Sequence, residues 1–291
     1  LRGEPSNFDV PCFEVPGGLG LRTELSLRAL EFAKTRKLLH ERTDGEVPGV
    51  LFGVDDEGRH GNFHPLAYEQ IRRTSEWSKR FCKVHTAFKR FRARVNWEWK
   101  ELDCAHSSDA LLMSIFCHPQ VLTSVRVQRL LGIEAEAVPE FGFKPRTPLC
   151  NGKYDHTEID MRLGELLVEA KLTESNFQTA KSDLVFRYRD LERVFLQDEL
   201  PLRNGMYLHY QLIRGVLAAY AGGGSFCVFC DARRRDLIEA WYAVIRAVRL
   251  FDLRCCLKLL TWQELAAELP MELQEFLGMK YGIFAVDCFS R

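Results

Sequence analysis

Apolar and polar residues alternate across 157–163 and then run almost unbroken through 166–172, with Gly164-Glu165 between them. Alternation marks a half-buried strand, a continuous apolar run a buried one, and the short break a hairpin turn. A third strand-like stretch at 141–144 precedes the pair, so the middle of the chain predicts a three-stranded meander. Helical spacing brackets it: 110–117, opened by Ser107-Ser108-Asp109, and 120–131 lie before, while 183–195 and 206–221 lie after. An apolar strand at 226–229, a helix at 237–248 and a strand at 255–260 follow, and two short helices around 263–269 and 271–278 close the chain. The order ααβββααβαβ predicts an α/β architecture with a mixed β-sheet flanked by helices.

Upstream the pattern loosens. Residues 1 to about 65 are punctuated by Gly and Pro around one amphipathic helical stretch near 25–40. Residues 71–100 hold ten Lys and Arg against Glu76 and Glu98, interleaved with Trp77, Phe81, Phe88, Phe91, Trp97 and Trp99 at mostly helical spacings. Such a segment can pack one face and turn the other to solvent, the usual reading of clustered Lys and Arg, or to phosphates. The expected division is therefore an N-terminal extension over 1–100, with a basic helical segment at 71–100, and a domain over 101–291.

The chain has 291 residues, is 46% hydrophobic, and balances 40 Lys and Arg against 40 Asp and Glu. That composition excludes disorder over most of the length and leaves any partner to be read from local charge. Ten cysteines, scattered through apolar stretches, read as reduced core thiols. The longest uncharged run, 215–230, is broken by Gly222-Gly223-Gly224, so no membrane span is expected. The N-terminus has no apolar signal core, and a cytoplasmic location is the default.

Chemistry concentrates between His156 and Lys171. Glu158 and Asp160 share one face of the first strand, and Glu169 and Lys171 one face of the second, which is otherwise apolar. A short hairpin brings Asp160 beside Glu169, two carboxylates within reach of one divalent ion, with an ammonium alongside. Oxygen ligands favour Mg²⁺ or Mn²⁺ over zinc. Metal, carboxylates and lysine suit phosphodiester hydrolysis, in which the ion polarises the phosphoryl group and activates water.

Asp160 followed by Glu169-Ala170-Lys171 resembles the PD-(D/E)XK nuclease superfamily, the restriction-endonuclease-like fold. The helix, meander, helix, strand order over about 105–260 resembles it too. So do Tyr210-Gln211-Leu212-Ile213-Arg214, Cys230-Asp231-Ala232-Arg233-Arg234 and Thr261-Trp262-Gln263-Glu264-Leu265, which are similar to a bacterial branch of the superfamily. The resemblance implies that Asp160, Glu169 and the Ala170 carbonyl bind the metal and that Lys171 serves the attacking water. It implies further that Gln211 and Arg214 sit near the scissile phosphate, and that Glu158 or Asp109 supplies an additional carboxylate. Ile159 stands where a proline often precedes the first acid. The implied function is a Mg²⁺-dependent nuclease with DNA as its expected substrate and a homodimer as a compatible assembly. The alternative is a catalytically inactive module of the same fold that binds nucleic acid or a protein.

Other motifs have plainer readings. Cys227-Val228-Phe229-Cys230 has a metal-like spacing but lies within a predicted strand, where positions three apart face opposite ways, and reads as core. His60, His64, Cys82 and His85 have ligand types for zinc, yet Gly61 and Pro65 make the first pair irregular and ordinary histidines are the expectation. Arg233-Arg234-Arg235 reads as a surface loop.

Overall fold

A computed structural model describes residues 18–43, 49–83 and 100–285. Along the chain, α1 (Gly18–Thr35) leads to a hairpin of β1 (His40–Arg42) and β2 (Val50–Phe52), then to α2 (Pro65–Arg73) and α3 (Ser75–Phe81). Next come α4 (Ser108–Phe116) and α5 (Val125–Leu131), β3 (Pro139–Phe143), a small pair of β4 (Thr147–Pro148) and β5 (Tyr154–Asp155), and then β6 (Ile159–Leu163) and β7 (Leu166–Ala170). β8 (Thr179–Lys181), α6 (Ser182–Phe186), α7 (Leu191–Val194), β9 (Leu202–Arg203) and β10 (Met206–Leu208) follow. The last third holds α8 (Tyr210–Gly222), β11 (Ser225–Cys230), α9 (Arg235–Ile245), α10 (Phe251–Cys255), β12 (Leu257–Thr261), α11 (Trp262–Ala266) and α12 (Met271–Tyr281).

Five strands form the central sheet in the order β12-β11-β7-β6-β3. β11 runs parallel to both neighbours, whereas β6 is antiparallel to β7 and β3, so the sheet is mixed. Its middle strands, β7 and β11, are buried almost throughout, which is why they read as continuous apolar runs. Leu167, Phe226 and Val228 pack on one face beneath α8 and α9, against Val216 and Trp241. Met161, Val168 and Phe229 pack on the other against Ile115, Trp262 and Leu277, with Leu25 of α1 in the same core. Burying a side chain of this kind stabilises by roughly 1.5–3 kcal/mol, so two packed faces hold strands of only five or six residues. This is the mixed, helix-flanked α/β sheet that the residue pattern predicts, consistent with a restriction-endonuclease-like fold.

Departures have local causes. The helix expected at 183–195 is two short ones, because an isolated bridge between Leu149 and Tyr188 and a bond from Cys150 N–H to Arg187 O at 2.9 Å draw the chain out between them. The helix expected at 206–221 begins only at Tyr210. Before it, Met206–Leu208 pairs with β8 and β9, and Asn204-Gly205, both with positive φ, makes the β9–β10 turn. His209 at φ 58° separates this strand from α8. Within the expected basic segment, α2 and α3 are helical and residues 84–99 lie outside the described residues. Among described cysteines, Cys117, Cys227 and Cys230 are buried but Cys82, Cys150, Cys255 and Cys256 are exposed, so the thiols are free but not uniformly core. Arg234 is also not a surface residue: it is buried, ion-paired with Asp236 and bonded to Ser175 O at 3.3 Å.

Candidate active site

The turn at Gly164-Glu165 sets the register of β6 and β7, with Leu163 facing Leu166, Arg162 facing Leu167 and Met161 facing Val168. Gly164 takes φ +55°, a conformation that glycine adopts without Cβ strain. Carried one step further, the register sets Asp160 across from Glu169, and residues opposed in this way project to one face of a sheet. Asp160, Glu169, Ala170 and Lys171 line one cleft of about 720 Å³. Its walls come from far along the chain: Arg22 of α1, Arg80 of α3, Asp109 in the first turn of α4, Glu174 beyond β7 and Gln211 at the start of α8.

Hydrogen bonds tie these groups together. Ala170 N–H donates to Asp160 Oδ2 at 2.7 Å, and Lys171 Nζ donates to Glu169 Oε1 at 2.6 Å. Gln211 Nε2 donates to the same Glu169 oxygen at 2.9 Å. The backbone at Lys171 is fixed on both sides, its N–H on Phe229 O at 2.8 Å and its carbonyl accepting Trp262 Nε1–H at 2.9 Å, while Trp262 stacks on Phe229. Burial works against a charged Lys171, but the charges of Glu169, Asp160 and Glu174 outweigh it and raise the pKa above the ordinary lysine value. The side chain is therefore an ammonium across the physiological range.

Asp160 is in the opposite situation. Burial, then the charges of Glu169 and Asp109, push its pKa well above the usual carboxylate range against the opposing pull of Lys171 and the Ala170 N–H. A divalent cation would relieve that repulsion. Among the described residues, Asp160 Oδ1 and Glu169 Oε2 carry no hydrogen bond, so each carboxylate keeps a ligand atom in reserve. The cleft lining holds seven acidic residues against four basic ones, an excess that would repel a bare phosphodiester and accept one bridged by a cation. These donors, all oxygen, fit Mg²⁺ or Mn²⁺.

Around this centre the residues singled out from the sequence take different places. Glu158 lies on the cleft, its carboxylate held by Arg80 Nη1 at 2.5 Å and Lys83 Nζ at 3.4 Å. Burial alone would raise its pKa, and these cations bring it below the ordinary value. Asp109 also pairs with Arg80 through Nη2, and burial holds its pKa above the ordinary value despite that partner. Gln211 reaches the centre, but Arg214 lies behind it: buried, it donates to Glu158 O at 3.1 Å and is not among the cleft-lining residues. Arg80 and Lys83, which belong to the basic segment expected to meet phosphate, are turned inward onto carboxylates. His85, Lys89, Arg90, Arg92 and Arg94 lie outside the described residues.

The sequence reading does not single out Glu174, nor the place Arg80 takes. Glu174 accepts Ser108 Oγ–H and Leu172 N–H, both at 2.6 Å, clamping the chain after Lys171 to the start of α4. Its position three residues past Lys171 was the available signal. Arg80 bridges Asp109 and Glu158, and no spacing along the chain encodes that contact.

Among the described residues no helix is long and apolar enough to cross a membrane. The family model described as restriction endonuclease associating with ARP matches residues 27–282. No curated protein and no solved structure gives a significant match to the chain.

Proposed function

The chain belongs to the family of restriction endonucleases associating with ARP, and from that premise we propose that it is a metal-dependent nuclease that hydrolyses phosphodiester bonds in DNA. The observation that carries this reading is the convergence of Asp160, Glu169 and Lys171 on one acidic cleft. The site resembles that of PD-(D/E)XK nucleases, and the chain is proposed to be one. Asp160, Glu169 and the Ala170 carbonyl would hold Mg²⁺, which supplies charge neutralisation and an activated water. Glu158 joins as a ligand only by exchanging Arg80 and Lys83 for the ion.

The remaining steps belong to the chain's own residues. Lys171, fixed through Glu169 and charged, orients the attacking water and offsets negative charge as it develops on phosphorus. Gln211 holds Glu169 Oε1 from the other side, which keeps that carboxylate aimed. Arg80, one of the cations lining the cleft, is placed to exchange a carboxylate for a substrate phosphate oxygen. Arg214 acts through the backbone at Glu158 as a positioning residue. The family description names an association with ARP, and that association is the partner proposed for this chain.

Incubating the protein with linear and circular DNA and Mg²⁺ or Mn²⁺ is the test. Cleavage is expected, with Lys171→Ala slower by about 10²–10⁴-fold while it still binds the ion. Intact DNA in every metal condition, together with salt-sensitive DNA binding that ignores metal, would favour the non-catalytic module.

A further inference from the structure

Between α2 and α12, away from the nuclease cleft, three side chains from distant parts of the chain meet. His64 immediately precedes α2, His118 lies just beyond α4, and Glu272 sits in the first turn of α12. One ligand-type atom from each lies within 4.8 Å of the other two. The two imidazole rings are 5.0 Å apart, and Phe276 meets His64 edge-on at 5.6 Å.

His64 is the revealing member. It is 7% exposed, yet among the described residues its Nδ1 has no hydrogen-bond partner, and its side chain does not cap α2. A buried ring nitrogen left in this way is unfavourable unless something outside the chain satisfies it. His60, which shares its loop, is by contrast spent on Asp103 and the Asn62 N–H. His118 is almost fully buried, with Nε2 3.2 Å from Glu272 Oε1. His64 and Glu272 line a cavity of about 650 Å³ that also reaches Tyr68, Arg72 and Met279.

We infer that His64, His118 and Glu272 form a second metal site, for Zn²⁺, with a remaining coordination position open to this cavity. Two imidazoles and one carboxylate are a ligand set that suits zinc and leaves a fourth position for water or a ligand. The nitrogen donors also separate it from the oxygen-only centre at Asp160, which selects a harder ion. Binding through His118 Nε2 places the ring proton on Nδ1 and gives up the bond from Gln120 N–H, a long one at 3.3 Å. In exchange the ion supplies the partner that His64 Nδ1 lacks and ties together the starts of α2 and α12 and the loop after α4.

The site is independent of the nuclease reading, and a Zn²⁺ titration of the full chain followed by calorimetry tests it. Wild type and Asp160→Asn are each expected to bind one equivalent tightly, to rise in thermal midpoint with Zn²⁺, and to show visible d–d absorption with Co²⁺ in its place. Glu272→Gln changes only a half-exposed side chain and is expected to fold and to bind zinc at least about tenfold more weakly, with His64→Ala weaker still. No zinc bound to wild type, affinity unchanged in Glu272→Gln, or affinity lost only in Asp160→Asn would each overturn the assignment.

Discussion

Lys171 and Asp160 show how one small volume makes both an amine and a carboxyl hold a proton, the one charged and the other neutral. The lysine is surrounded by carboxylates and keeps its proton; the aspartate, buried and then crowded by Glu169 and Asp109, resists losing its own. The sign for stability follows. A carboxyl whose pKa is raised in the folded state stabilises the fold below the ordinary carboxylate range, and that contribution is lost as pH rises through the raised value. Asp160→Asn keeps an oxygen for the Ala170 N–H while removing the charge. The metal-free variant is therefore expected to melt higher than wild type near pH 8, by about 2–4 °C for each kcal/mol of repulsion removed, and to match it at low pH, measured by calorimetry. Added Mg²⁺ should raise the wild type and leave the variant unmoved. This core of the site was legible because strand periodicity and a two-residue turn dictate which side chains oppose. Glu174 and the Arg80 bridge were not, since their partners Ser108, Asp109 and Glu158 are 66, 29 and 78 residues away.

At the level of elements, α8 couples the sheet to the site. Gly215 lies against β11, and a Cβ there would come within 2.3 Å of the Phe226 ring. Alanine gains up to about 1 kcal/mol of helix propensity over glycine, but overpacking of this kind costs about 1–3 kcal/mol and pushes the helix outward. Gly215→Ala should lower the urea midpoint and, because α8 carries Gln211 to Glu169, slow cleavage as well. The five sheet strands were legible within two residues, β7 and β11 as buried apolar runs and β6 by its alternation. The β8-β10-β9 sheet was not: strands of two or three residues give too few alternations to register, although Asn204-Gly205 is a hairpin signal of the right kind. The break at Tyr188 was hidden too, because it depends on backbone pairing of Arg187 and Tyr188 with Cys150 and Leu149, far back in the chain.

Across the whole molecule, residues before 101 are built into the structure that forms the site. α1 packs on α12, and Lys280, fully buried, donates to Asn62 O at 2.8 Å and to its side-chain oxygen, joining α12 to the loop before α2. Arg80 adds an ion-pair bridge from α3 to α4 and to the segment leading into β6. Arg80→Met strands two carboxylates in the cleft wall, and a loss of about 3 kcal/mol is expected in chemical denaturation, with Lys83 and solvent limiting the damage at Glu158. A variant as stable as wild type would mean that the bridge does not hold the cleft. Formal neutrality of the chain revealed nothing of this arrangement, in which acidic residues gather in the cleft lining.

Anomalous diffraction from crystals grown with Mn²⁺ addresses the metal centre without relying on turnover. A peak is expected between the Asp160 and Glu169 carboxylates, within about 2.0–2.2 Å of an oxygen from each and of the Ala170 carbonyl. A map empty there at millimolar Mn²⁺, or with density only beside His64 and His118, would contradict a metal-dependent nuclease built on Asp160, Glu169 and Lys171.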